Sequence, residues 1–226
     1  MAQRSVVPAS QRRALARLSK LRIADDLYLA GGVAVAFHLG HRGSRDLDFF
    51  GRSPDLDLDV VQSALSEASA GTEIVSRTDA TLHAKFEGAD LDVVRYPYPL
   101  LVRPRRHESG FHVASLRDLA AMKLAAIAKR GVRRDYWDLH AMLTSGRVTL
   151  STALQDYRRK FGVGESDIYH VLRALSWFDD AERDPLRPRG LTQRHWQEIR
   201  AYCESAARRE IQRRARSLAR ERWPAS

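Results

Sequence analysis

The spacing of apolar positions changes several times along the chain, and each change predicts an element. Residues 10–24, "SQRRALARLSKLRIA", put Leu15, Leu18, Leu21 and Ile23 near helical spacing and predict a helix. "LYLAGG" is a short apolar run that breaks at two glycines and reads as a buried strand or a helix end. "VAVAFHLG" reads as a short helix ending at Gly40, and "RDLDFFG" alternates as a strand does. In "SPDLDLDVVQSALSEAS", Ser53 is the expected N-cap and Pro54 the first residue of a helix of about four turns. "TEIVSRT", "LHAKFEG" and "ADLDVVRYPY" predict three strands, with Glu87, Gly88 and Ala89 turning between the last two. "RPRRHESG" predicts a basic loop. "SLRDLAAMKLAAIAKRG" predicts a helix with Ser115 and Asp118 at capping-box spacing and Gly131 past its end. "RRDYWDLHAMLTSG" predicts another, and beyond residue 150 the pattern is helical except at 183–190, "RDPLRPRG". The expected class is α+β, a small mixed sheet with helices followed by an all-α C-terminal half. The expected division is 1–100 and 101–226, with the joint in residues 97–115.

Composition narrows the function. At 226 residues, 44% hydrophobic and 29% charged, the chain can bury a core and reads as globular. The longest apolar run, from about Leu29 to Leu39, is too short to span a bilayer, so no membrane partner is expected. The N-terminal residues lack the apolar stretch of a signal peptide. Cys203 is the single cysteine, which excludes an intramolecular disulfide and a cysteine zinc cluster and predicts a cytoplasmic protein. The net charge of +10 points to a polyanionic partner such as nucleic acid or nucleotides. From Leu186 to Ser226 there are eleven Arg and four Glu, with no Lys or Asp, a local charge of 11 − 4 = +7. That tail reads equally as a solvated helix face and as a track for a phosphate backbone.

The chemistry concentrates in "AGGVAVAFHLGHRGSRDLDFF", residues 30–50. Strand residues two apart share a face, so Asp46 and Asp48 point together, opposite Leu47 and Phe49. Two carboxylates about 6 to 7 Å apart repel unless a cation lies between them. A hard divalent ion fits, because Mg2+ takes carboxylate oxygens and leaves positions open for phosphate. Asp92, in "LDV", would be a third carboxylate on a neighbouring strand, with Asp90 on the same face as the fallback. A lone D-h-D (h, apolar) is common on edge strands facing water. Here Gly31 and Gly32 stand ahead of Asp46, with thirteen residues between Gly32 and Asp46, at the expected start of a helix. There the backbone can approach a triphosphate and the helix end favours anions. The ordered set is much more specific than any part of it.

The segment "GGVAVAFHLGHRGSRDLDFF" resembles the signature of the AbiEii/AbiGii toxins of type IV toxin–antitoxin systems, within the polymerase-β-like nucleotidyltransferases. Val33 stands where that signature usually has Ser or Thr. "LAAMKLAAIAKRGVRRDYWDLHAML" is similar to the later motif of the family and places Lys123, Arg134, Asp135 and Asp138 on matching positions. The resemblance covers about residues 28–145, and Asp92 matches in pattern only.

It implies a nucleotidyltransferase with Mg2+ or Mn2+ on Asp46, Asp48 and Asp92, where Asp92 could instead be the base toward the acceptor hydroxyl. Gly31, Gly32 and Ser44 would hold the triphosphate, with Arg42 either pairing with phosphate or bracing the acids. Lys123 would turn a positive charge to the phosphates, with Asp135 and Asp138 aligning it or an acceptor. The implied acceptor is RNA, the 3′ end of tRNA favoured, and the implied partner is a cognate antitoxin. The rivals are a small-molecule nucleotidyltransferase and an inactive nucleotide- or RNA-binding protein. The basic residues Arg103, Arg105, Arg106, Lys129, Arg130, Arg133 and Arg134 suit a polyanionic acceptor better than a cationic drug. His107 and His112 read as surface or packing residues. Trp177, Trp196 and Trp223 read first as packing residues and second as stacking platforms for bases.

Overall fold

The computed structural model describes residues 7–222, with side chains to residue 217. The chain divides into two compact units, Met1–Leu119 and Ala120–Ser226. In the first, helix α1 (Ala9–Leu18) buries Gln11, Ala14, Leu15 and Leu18, one helical stripe. The chain then tightens into a 3-10 turn, Arg22–Asp26, instead of continuing as α-helix. Strand β1 (Leu27–Leu29) is wholly buried, and helix α2 (Gly31–Leu39) stops at Gly40, which takes a left-handed conformation with φ +62°.

Strand β2 (Asp46–Gly51) alternates half-buried and buried residues, as its sequence pattern requires. Helix α3 (Leu58–Ala68) starts later than expected. Ser53 Oγ accepts only from Asp55 N, in a local turn, whereas Asp57 Oδ1 accepts from the backbone N–H of Asp59 and Val60. Asp57 is therefore the N-cap, and Pro54 lies outside the helix.

Strands β3 (Glu73–Arg77), β4 (Thr81–Phe86) and β5 (Ala89–Val94) follow as predicted. Glu87 and Gly88 have φ of +54° and +74°, a two-residue hairpin turn that pairs Phe86 with Ala89. The basic segment is not all loop. It holds β6 (Arg105–Arg106), paired with β7 (His112–Val113), and the hairpin is closed by His107 N–H donating to Phe111 O. The seven-stranded mixed sheet has the order β3-β4-β5-β2-β1-β7-β6. Pairs β1–β7 and β2–β5 are parallel and the others antiparallel.

Helix α4 (Leu116–Lys129) carries the chain across the division between Leu119 and Ala120. That division is later than the change in pattern near residue 100, because the intervening segment adds two strands to the sheet. Ser115 Oγ accepts from Asp118 N at the start of α4. The Asp118 carboxylate in turn accepts from the backbone N–H of Leu101 and Val102, tying this segment to the helix.

The second unit is helical: α5 (Arg133–Thr144), α6 (Leu150–Phe161), α7 (Glu165–Ala174), α8 (Asp179–Arg183) and α9 (Gln193–Arg222). Tyr136, Leu139, Leu172, Phe178, Trp196, Ile199 and Cys203 are buried. Trp196 Nε1 donates to Glu182 Oε1 at 2.7 Å, and Arg133 pairs with the other oxygen of that carboxylate. Several C-terminal arginines face acids of their own unit: Arg194 pairs with Glu198, Arg200 with Glu182, and Arg213 and Arg214 with Glu210. The positive excess of α9 is therefore partly neutralised from within.

Burial pushes the Cys203 thiol up from 9.0 to about 12, with Glu204 adding to the shift. The unfolded chain loses this proton first, so folding stability should fall as pH rises above 9. Between pH 8 and pH 10 the loss should be about 1 kcal/mol, read from urea midpoints. Cys203→Ala should flatten that slope; an unchanged slope would assign it to other groups.

Candidate active site

Parallel pairing of β2 with β5 aligns Asp46 with Asp90 and Asp48 with Asp92. The intervening Leu47, Phe49, Leu91 and Val93 are buried on the other face. The carboxylates of both strands are thus brought to one face, while the apolar residues anchor the strands beneath. Strand β4 adds His83 opposite Asp92, and His83 Nδ1 lies 2.6 Å from Asp92 Oδ1.

The two glycines lie against this face. Gly31 has φ +60°, and a Cβ there would fall 1.9 Å from Asp48 Oδ2. A Cβ on Gly32 would fall 2.7 Å from both an Arg42 guanidinium nitrogen and Ser44 Oγ. Ala30 N–H donates to Asp48 O at 2.9 Å, which fixes the start of α2 to the acidic strand. No side chain of the N-cap, Ala30, bonds the first turn of α2, so that turn can turn its N–H groups to an anion. Gly31, Gly32, Arg42, Ser44 and Asp48 are therefore neighbours, with Asp46 and Asp92 on the same sheet face. Val33, which replaces the expected hydroxyl residue, is buried.

Among the described residues no group of three or more His, Cys, Asp or Glu side chains closes into a metal cage. Mg2+ and Mn2+ are hard cations that take carboxylate oxygens. Such a metal is held by one or two carboxylates, and water and substrate phosphate fill the other positions. Asp46, Asp48 and Asp92 could supply those oxygens, with Asp92 already oriented by His83. His107 instead stacks on Phe37 at 4.1 Å, and burial, opposed by Glu108, lowers its pKa.

In the helical unit, Lys123 Nζ lies 2.8 Å from Asp135 Oδ1 and 2.8 Å from Asp138 Oδ2. Spacing of three on α5 lets both carboxylates reach one ammonium. All three residues are buried. Burial alone lowers the lysine pKa, but Asp138 and then Asp135 reverse this and hold it well above the ordinary range. Lys123 stays charged. Asp135 Oδ2 is buried with no hydrogen-bond partner among the described residues. Arg134 is half-buried beside this group on α5.

Sequence reasoning missed His83. The signal was present: a two-residue turn at Glu87 and Gly88 pairs residues 83 and 92. The tryptophans differ. Trp196 is fully buried, Trp177 is 60% exposed, and Trp223 lies outside the described residues.

A family model described as the nucleotidyl transferase AbiEii toxin of type IV toxin–antitoxin systems matches residues 13–219. An uncharacterized protein of Aquifex aeolicus (strain VF5) is 29% identical over 195 residues, 85% of this chain and 91% of that protein. A crystal structure of a candidate nucleotidyltransferase from H. pylori superposes with a TM-score of 0.52 at 19% identity, covering 92% of this chain and 94% of that one. The two share a fold. The nucleotidyltransferase toxin MenT4 of Mycobacterium tuberculosis H37Rv gives a TM-score of 0.49 at 17% identity, covering 87% and 82%.

Two sets of variants test this geometry. Gly31 and Gly40 both have positive φ, but only Gly31 meets a side chain. Gly40→Ala should cost about 1 kcal/mol in urea unfolding, and Gly31→Ala clearly more. Equal losses would remove the close approach to Asp48. Lys123→Met leaves two buried carboxylates without their cation and should cost about 3–5 kcal/mol. Adding Asp135→Asn should recover part of that loss; simple additivity would mean that the pair is not coupled.

Proposed function

As a member of the AbiEii nucleotidyl transferase toxin family the chain is a nucleotidyltransferase, and we propose that it transfers a nucleotidyl group from a nucleoside triphosphate to RNA. The acceptor we favour is the 3′ end of tRNA. The acceptor hydroxyl oxygen forms a bond to the α-phosphorus. The bond from the α-phosphorus to the oxygen bridging to the β-phosphate breaks, and pyrophosphate leaves. The hydroxyl proton passes to Asp92 or to water.

The observation that carries this reading is the alignment of Asp48 with Asp92 beneath Gly31. It sets oxygen donors beside a backbone turn suited to phosphate. Asp46, Asp48 and Asp92 would hold Mg2+ or Mn2+, which when bound supplies charge neutralisation of the triphosphate and a more acidic acceptor hydroxyl. Gly31 and Gly32 would keep the backbone clear for the phosphates, with Arg42 and Ser44 as side-chain donors. His83 would position Asp92. On the family motif alone, Lys123 would offset negative charge on the triphosphate, oriented by Asp135 and Asp138.

The basic composition, +10 overall, favours a polyanionic acceptor over a cationic small molecule. Among the described residues no helix is long and apolar enough to cross a membrane. A tRNA acceptor would place the protein in the cytoplasm, and the family description implies a cognate antitoxin.

Label transfer tests the reading. With magnesium, total bacterial tRNA and each α-labelled nucleoside triphosphate in turn, one nucleotide should label RNA. Asp48→Ala should lower transfer by about 10³-fold or more, a chelator should abolish it, and His83→Gln should lower it roughly 10- to 100-fold. Full transfer by Asp48→Ala would overturn the assignment of the acids. Label on a small molecule in place of RNA would overturn the acceptor.

A further inference from the structure

The helical unit holds a cavity of about 380 Å3 whose walls include Trp177, Lys129, Arg173, His170 and Asp180. Trp177 follows α7 and leaves 60% of its surface exposed, whereas Trp137 and Trp196 are buried. The ring is not on a loose strand of chain. Tyr136 Oη donates to the carbonyl oxygens of both Trp177, at 2.6 Å, and Ala174, at 2.8 Å, which pins the backbone on which the indole stands. Gly131 lines the same cavity, and a Cβ there would come within 3.0 Å of that phenol oxygen. Lys129 and Arg173 are exposed, and neither forms an ion pair among the described residues. Asp180 is the one acid of the wall among the described residues.

From this arrangement we propose that the Trp177 cavity is a binding site for a nucleobase of single-stranded RNA. Indole gives a stacking face that accepts any base, and two cations beside it meet the flanking phosphates. Asp180 supplies an acceptor for an exocyclic amino group. The volume suits one nucleotide unit rather than a duplex, whose bases are stacked inside the helix. The proposal rests on RNA as the acceptor: the site would hold the acceptor strand by a base that takes no part in the transfer.

The test is binding without any nucleoside triphosphate, so that it does not depend on catalysis. Full-length protein is titrated into a fluorescein-labelled single-stranded oligoribonucleotide of about twelve residues, and into the same sequence as a duplex. Trp177→Ala should weaken single-strand binding about 10-fold and leave duplex binding unchanged. Trp177→Phe should keep affinity within about 3-fold, since phenylalanine still stacks, yet lose most of the quenching of intrinsic fluorescence expected when unlabelled oligonucleotide binds the native protein. Lys129→Gln with Arg173→Gln should lower the salt dependence of log Kd by about one for each cation removed.

Unchanged affinity of Trp177→Ala would overturn the proposal and leave the exposed ring to a protein partner. Absence of any single-strand binding by the native protein would overturn it as well. Label transfer to tRNA that persists at the native rate in Trp177→Ala, together with unchanged binding, would sink this site and leave the proposed reaction standing.

Discussion

The parallel register between β2 and β5 is the constraint from which the rest follows. Each strand has apolar residues on one face and acids on the other, and both faces must agree across the pair. A slip of one residue would drive Asp46 and Asp48 into the core and expose Leu47 and Phe49, which no packing gain could offset. Hydrophobic burial beneath the sheet therefore forces carboxylates together above it, against their mutual repulsion. That repulsion is a cost, and a cation or a donor that reduces it is favoured in proportion. His83, against Asp92, already does part of this.

The helical unit solves the reverse problem. There one buried cation has two carboxylates, so the group is negative overall unless a proton or another cation joins it. Taking three charges out of water is costly, and apolar residues of similar volume would pack there as well. What the arrangement offers is a fixed geometry: the ammonium cannot swing while two acids grip it. A lysine that must meet a moving charge at one place gains from being held in this way.

Much of this was legible in the sequence, for physical reasons that can be named. The alternation in "RDLDFF" and "DLDVV" revealed which acids share a face, because side-chain direction in a strand is local geometry. The glycine pair before a helical run revealed the start of α2. What could not be read was the outcome of local competition and of long-range contact. Ser53 and Asp57 are both good caps, and only the structure shows that Ser53 closes a turn while Asp57 caps the helix. Strands β6 and β7 are two residues each, too short to show any period. Asp118 pairs with Ser115 as its spacing suggests, but its carboxylate also bonds the backbone of residues 101 and 102, which the spacing does not reveal. Trp177 and Trp196 look alike in sequence, and burial alone separates them.

The order β3-β4-β5-β2-β1-β7-β6 puts β2 in the middle position, with three strands on either side. Edge strands fray first, since each has one side without a neighbour. Opening that begins at β3 or β6 must peel away two further strands on each side before it reaches β2. Because the first residues of α2 hang from Asp48 by a backbone hydrogen bond, the glycine turn shares that protection. Within the sheet, the strand that carries Asp46 and Asp48 should thus be the last to exchange its amide protons. The periphery can accept insertions, altered loops or a replaced edge strand while the centre keeps its shape.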